Sequence, residues 1–412
     1  MASESLYQLP GWCCPVLNAA RESELIRICQ EFVRIPSASG NERHMAAFVR
    51  DVMLSLGYDR ADIDSCGNVT GTIDLGGDGP CLLFEAQMDH VDVADPFEWE
   101  FYPFGGILQS GRIYGRGATD QKGSLAAMIC AASFLKEDRH PGCAGRIAVA
   151  ATVHQERIEG ASSRFVCSSH HPDLVVSGEA SALKIERGQR GRAEIIVETL
   201  GKPAHSANPE YGINAANHMV SLVSILSDSF RPVTDPFLGD GILELTRLVS
   251  FPETATGVVP SRCQAVFDRR VILGETRDGI LSQIEEIIGE AGRSIPGLKA
   301  SVRISSSEER CYTGVQIKEE HFVPAWLLER EHPFVKRCLD GLDLIGLPPI
   351  VAERPGFGTN GCYYGGVRKI PTVAFGPSFQ DLAHITDEYL EVDQLLKGCL
   401  GYYGIAGAVL GI

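Results

Sequence analysis

Several stretches of this chain place oxygen and nitrogen donors where a divalent metal ion could be held. Asp89, His90 and Asp92 follow an apolar run at 81–86, and Asp120 stands just before a helix-like stretch. His154 and Glu156 follow a second run at 147–153, Glu179 follows a third at 173–177, and His384 lies in Ala383-His384-Ile385-Thr386. Zinc takes nitrogen and oxygen ligands, and a catalytic site keeps one position open for water. Metal-assisted hydrolysis is the chemistry such a set would perform. Taken singly, each residue would pass for a cap or a turn residue.

The elements that must position these groups alternate. Residues 23–35 and 43–56 have the three- and four-residue apolar spacing of amphipathic helices, separated by the turn Ile35-Pro36-Ser37-Ala38-Ser39-Gly40. The runs 81–86, 147–153 and 173–177 fit buried strands, with a helix over about 122–136 between the first two. Strands alternating with helices predict an α/β fold with a mostly parallel sheet, whose carboxyl edge is where ligands bind. The pattern changes near Gly191. A strand at 192–200, a helix at 213–228, strands near 242–250 and 262–273, and a helix at 277–292 form a small α+β unit. The last hundred residues then return to the earlier mixture. The predicted organisation is a discontinuous catalytic domain, 1–191 and 309–412, carrying an inserted domain at 192–308.

Composition narrows the partners. With 412 residues the chain exceeds one ordinary core. A net charge of −16 argues against a nucleic-acid binder. No run of eighteen apolar residues suggests a membrane span, and Met1–Pro10 has no secretory pattern. The thirteen cysteines include no Cys-x-x-Cys pair, which fits a reducing, cytoplasmic setting. Adjacent Cys13 and Cys14 read as packing residues.

One specific segment and five supporting ones carry a resemblance. They are Tyr114-Gly115-Arg116-Gly117-Ala118-Thr119-Asp120-Gln121-Lys122-Gly123, then Ser177-Gly178-Glu179, then Gly201-Lys202-Pro203-Ala204-His205-Ser206 with Asp268-Arg269-Arg270, then Gly358-Thr359-Asn360, and Ala383-His384. From about residue 23 onward the chain resembles the dinuclear zinc amidohydrolases that include acetylornithine deacetylase, succinyl-diaminopimelate desuccinylase, aminoacylases and glutamate carboxypeptidase. The resemblance implies a catalytic domain interrupted by a lid that dimerises. It implies that Asp120 bridges two metals, that Glu156 and His384 complete one, and that Glu179 joins the other. His205 would reach a neighbouring active site and stabilise an oxyanion. Arg270 and Asn360 would hold the substrate, a small amide or N-acyl amino acid bearing a carboxylate. Zinc, one or two ions per chain, is the implied cofactor, with cobalt or manganese as alternatives.

Two positions depart from the family pattern. Where its first motif has a ligand histidine, this chain has Gln87, with the supporting Asp89 kept. A shifted register, His90-Val91-Asp92-Val93, would restore the motif. Where the family has paired glutamates, the first a general base, this chain has Gln155-Glu156. An amide cannot take a proton from water at neutral pH. His154 and Glu159 are near in sequence, but His154 would point to the opposite face of a strand and Glu159 needs the loop to fold back. Three readings follow: a hydrolase with one metal and a different base, a repurposed enzyme performing amide formation, elimination or cyclisation, and a silent binding protein.

Overall fold

A computed structural model describes residues 16–138, 140–254, 257–355 and 358–411. Cys13 and Cys14 lie outside the described residues. The chain divides into two compact units. The first runs to Gln189 and adds Glu308–Ile317 and the chain from Leu327; the second is Arg190–Ser307 with Lys318–Trp326.

In the first unit a six-stranded sheet is built from β1 (Arg60–Ile63), β2 (Val69–Gly76), β3 (Cys81–Gln87), β4 (Gly145–Thr152), β5 (Leu174–Gly178) and β6 (Thr372–Phe375). Their order is β1-β2-β4-β3-β5-β6. The pairs β3–β4, β3–β5 and β5–β6 are parallel, and β1–β2 and β2–β4 are antiparallel. The mixed α/β fold with a mostly parallel sheet is as the sequence predicts. The β1–β2 hairpin is not, because Gly71 and several polar residues dilute its alternation. Gly71 is there for closeness: a Cβ would meet Met53 Sδ and the Tyr58 ring at 2.6 Å.

Strand β3 explains its own unbroken hydrophobicity. Successive side chains face opposite sides of a sheet. Leu82, Phe84 and Ala86 enter the main core, while Cys81 and Leu83 enter a second one with Val166, Cys167 and Tyr364. Both faces are covered, as a parallel sheet requires. The main core is supplied by α1 (Ala19–Arg34), α2 (Arg43–Ser55) and α3 (Gly123–Asp138), with helices Pro333–Leu344 and Val392–Leu410. Asn18 caps α1 by accepting the backbone N–H groups of Ala20 and Arg21. Helix α3 is buried from Gly123 to Leu135 and is rich in small residues. It has no polar face to give to water, so its neighbours surround it.

The second unit has an antiparallel sheet in the order 242–251, 262–271, 191–200, 300–304, with Phe322–Val323 also pairing antiparallel with the Gly191–Leu200 strand. Helices Ala215–Ser229 and Arg277–Ser294 share one core with it. No described helix is long and apolar enough to cross a membrane. The described cysteines are all free thiols.

Candidate metal centre

Strands β3, β4 and β5 deliver their carboxyl ends to one edge of the sheet. Gln87 is the last residue of β3, Gln155 and Glu156 lie just beyond β4, and Glu179 follows β5. Asp120 sits in the turn Ala118–Lys122 that opens α3. That turn is held from a distance. Glu388 Oε1 accepts the backbone N–H of Thr119 at 2.8 Å and of Asp120 at 3.1 Å. Its other oxygen forms a buried ion pair with Arg116 Nη1 at 2.7 Å. Burial raises the Glu388 carboxyl and the Arg116 charge opposes that shift. Neither Arg116 nor Glu388 was singled out from the sequence. The Gly-Arg-Gly run gave a signal for the first only.

Three donors converge. The ligand atoms of Asp120, Glu156 and His384 all lie within 4.8 Å of one another. His384 Nε2 is 3.1 Å from Asp120 Oδ2 and 3.5 Å from Glu156 Oε1. The hydrogen bonds it donates to Asp120 and then Glu156 push the imidazole up to about 10. Burial pushes the Glu156 carboxyl up to about 7, against the His384 hydrogen bond. One imidazole and two carboxylates form a donor set that suits zinc, cobalt or manganese. A bound ion would displace the His384 proton.

The other side of the centre is different. Gln87 is buried, and its Nε2 donates to Asp120 Oδ1 at 2.8 Å and to Glu156 Oε1 at 3.4 Å. It therefore offers donor hydrogens toward both carboxylates. Glu179 Oε1 accepts from Gln121 Nε2 at 2.6 Å. Burial, then the Asp120 charge, raises its carboxyl far above the usual range. Among the described residues Glu179 is not within the three-donor cluster.

Several of the expected site residues are held in hydrogen bonds of their own. Asp89, the supporting residue kept from the first motif, is fully buried and its oxygens are taken. Oδ1 accepts the backbone N–H of Gln155 at 3.1 Å, and Oδ2 accepts Glu156 N–H at 3.2 Å and Ser39 Oγ–H at 2.6 Å. It positions the loop that carries Glu156. The shifted register through His90 fails. His90 Nε2 accepts the Ser37 N–H at 2.9 Å, and Nδ1 donates to Val91 O at 2.8 Å. Burial then lowers that imidazole to about 4, so it stays neutral and occupied. Asn360, expected to bind substrate, is buried with its amide engaged. Nδ2 donates to Glu85 Oε1 at 2.6 Å and Thr152 Oγ1 at 3.0 Å, and Oδ1 accepts Gly160 N–H at 2.7 Å.

Gln155 is buried, and its backbone N–H donates to Asp89. His154 adopts φ 58° and lies beside Glu42 and Cys311. Glu159 approaches Gly358, where a Cβ would come within 3.0 Å of its Oε2. In the second unit, His205 is exposed and its Nδ1 accepts Ala207 N–H at 3.1 Å. Arg270 pairs with Asp268 at 2.8 Å, and Asp268 also binds Arg192 at 2.7 Å. A cavity of about 650 Å³ begins at Ala180, next in sequence to Glu179, and is lined by Ser181, Lys184, Glu186, Arg354, Phe379 and Gln380. Burial pushes Glu186 up to about 8. Lys184 and Arg354, both exposed, were not anticipated, since single cations in loops give no periodic signal.

Comparisons with known proteins agree with this architecture. A family model described as peptidase family M20/M25/M40 matches residues 83–407. A protein of Escherichia coli strain K12 called uncharacterized protein YgeY is 31% identical over 387 residues, covering 90% of this chain and 92% of its own. Succinyl-diaminopimelate desuccinylase of Rhodospirillum centenum is 28% identical over 283 residues, covering 65% and 72%. Among solved structures, the M20 family metallo-carboxypeptidase Sso-CP2 of Sulfolobus solfataricus has a TM-score of 0.73 at 16% identity, covering 94% and 99%. The Bacillus subtilis YXEP protein, described as a dinuclear metal binding peptidase, has 0.71 at 16%, covering 95% and 99%. These two likenesses speak for the fold. The matched family is one of hydrolase-like metalloenzymes, and this chain belongs to peptidase family M20/M25/M40.

Proposed function

We propose that this protein is a metal-dependent amidohydrolase-like enzyme for a small carboxylate-bearing amide, such as an N-acyl amino acid, working with one divalent ion held by Asp120, Glu156 and His384. The observation that carries this reading is the asymmetry of the centre. Three ligand atoms converge within 4.8 Å, while the Gln87 amide donates to Asp120 where a second ion would need a ligand. A bound zinc, cobalt or manganese ion supplies Lewis-acid polarisation of a carbonyl.

The chain's own residues do the rest. Asp89 fixes the Glu156 loop through two backbone bonds. Glu388 fixes Asp120. Lys184 and Arg354 on the cavity that begins at Ala180 suit a substrate carboxylate, and an arginine fork can bind both oxygens. The strand Ile242–Phe251 has a partner on one side only among the described residues, and its Ile242 and Leu248 are exposed. Such an edge fits pairing with a second copy, which supports a homodimer through the lid. His205 and Arg270 would then serve as oxyanion donor and carboxylate anchor for the neighbouring site.

Gln155 favours a second reading. An amide in the base position cannot accept a proton from water, so the same pocket could polarise a carbonyl for amide formation, elimination or cyclisation. Metal analysis after zinc loading, combined with a panel of N-acyl amino acids in ¹⁸O-water, tests both. One zinc per chain, lost in His384→Ala, with ¹⁸O in a released acid is the expected result. Turnover without ¹⁸O selects the second reading. A chain that retains no zinc, cobalt or manganese overturns both.

A further inference from the structure

Behind the Glu156 loop the first unit holds two thiols in a built frame. Cys66 and Cys311, 245 residues apart in sequence, bring their sulfurs to 3.4 Å. Both are buried and both are free. Cys66 lies in the β1–β2 loop, where Asp64 Oδ1 accepts the backbone N–H groups of Cys66, Gly67 and Asn68 at 2.9, 2.8 and 3.0 Å. Cys311 closes a tight turn: its N–H donates to Val315 O, and its carbonyl accepts from Gly314 N–H, each at 2.8 Å. The turn is clamped onto the loop. Tyr312 Oη–H donates to Gly67 O at 2.9 Å, and Thr313 Oγ1–H donates to Ser65 O at 2.8 Å. Gly67, at φ 108°, admits that approach, since a Cβ would meet the Tyr312 ring at 2.4 Å.

Packing alone does not require sulfur to face sulfur. Cysteines elsewhere in the core, such as Cys29 and Cys338, are buried as ordinary small apolar side chains. The contact with Cys66, in which either sulfur can donate, lowers the Cys311 pKa; burial opposes this and the neighbouring His154 lowers it further. Cys311 is thus the sulfur with thiolate character, and the thiolate is the reactive form.

We propose that Cys66 and Cys311 are a reversible disulfide site, oxidised by small hydroperoxides. Cys311 thiolate attacks one peroxide oxygen, the O–O bond breaks, and Cys311 becomes a sulfenic acid while the leaving hydroxide takes a proton as water. The Cys66 sulfur then attacks the Cys311 sulfur. The S–S bond forms, the S–O bond breaks, and hydroxide leaves as water with the Cys66 proton. Two thiols lose two electrons and two protons, and the peroxide becomes two waters. A disulfide needs about 2.05 Å between sulfurs, so the pair must close by roughly 1.4 Å. The Cys66 loop also holds Asn68, whose Oδ1 accepts Val153 N–H at 3.0 Å and whose Nδ2 donates to Ser162 O at 3.1 Å. Those two contacts bracket the segment bearing Gln155 and Glu156.

The test uses the full, reduced chain treated with a small excess of hydrogen peroxide, then alkylated under denaturing conditions and mapped by mass spectrometry. The expected result is a loss of about 2 Da, in one cross-linked peptide pair containing Cys66 and Cys311, reversed by dithiothreitol. In Cys66→Ala, Cys311 has no resolving thiol and should be trapped by dimedone as the sulfenic acid. Both cysteines recovered alkylated while other thiols oxidise overturns the proposal. If Cys66→Ala does not fold, the wild-type cross-link map decides alone.

Discussion

Replacing Gln87 with histidine should convert the centre from one ion to two. Gln87 now donates to Asp120 at 2.8 Å and, at the long limit of a hydrogen bond, to Glu156 at 3.4 Å. A hydrogen bond to a charged group contributes about 1.5–3 kcal/mol. In the ion-free state, Gln87→His loses that contact and leaves a buried carboxylate with one fewer donor. The midpoint should fall by roughly 3–6 °C, at about 2 °C per kcal/mol for a unit of this size. Zinc should reverse the sign. The introduced imidazole would take a ligand position about 2.0–2.1 Å from an ion shared with Asp120. Glu179 would supply a further ligand on releasing Gln121. At zinc about a thousandfold above Kd, a second ion adds about 4 kcal/mol. The zinc-dependent rise in Tm should therefore exceed that of the wild type by roughly 8 °C. Elemental analysis after dialysis reads the same change as one zinc in the wild type and two in the variant. A wild type holding two ions, or a variant that keeps one and shows the wild-type zinc shift, refutes the argument that the Gln87 amide stands in place of a ligand.

Gln155→Glu should raise kcat on any hydrolysed N-acyl amino acid by about 10²–10⁴-fold, the usual contribution of a general base, with metal content unchanged. Steady-state kinetics check it, and no gain would speak for the non-hydrolytic reading. Asn360→Ala should cost ~3 kcal/mol in denaturant unfolding, because Glu85 and Gly160 lose partners in a buried setting. A substrate ligand would instead change KM with little loss of stability. His90 gives a pH dependence with a definite sign. Its folded pKa is lowered to about 4 from 6.5, so between those values the unfolded chain binds more protons and stability falls as pH falls. His90 should account for about 3 kcal/mol, present above pH 6.5 and lost by pH 4. The stability gap between wild type and His90→Gln should therefore shrink across that interval in urea titrations. A constant gap would contradict the neutral, doubly bonded imidazole.

The sequence alone determined the skeleton of this protein. Local periodicity is a property of neighbours, so the unbroken runs that became β3, β4 and β5 were legible, and so was the turn before α3. Donors just beyond strand ends could be named without coordinates, and the resemblance implied the set Asp120, Glu156 and His384 together with the loss of a histidine at Gln87 and a base at Gln155. The hairpin β1–β2 was not legible, since Gly71 weakens its pattern for the sake of contact with Met53 and Tyr58. Tertiary structure decided what each side chain does with its remaining hydrogen-bonding capacity. Asp89, His90 and Asn360 carry chemistry-bearing groups, yet each is consumed by partners that sequence spacing does not reveal, such as Gly160 for Asn360, 200 residues away. Glu388 reaches Asp120 across 268 residues, and Cys66 meets Cys311 across 245. A donor or acceptor acts only where its hydrogen bonds are not already taken. That is a fact of long-range contact, and the fold alone supplies it.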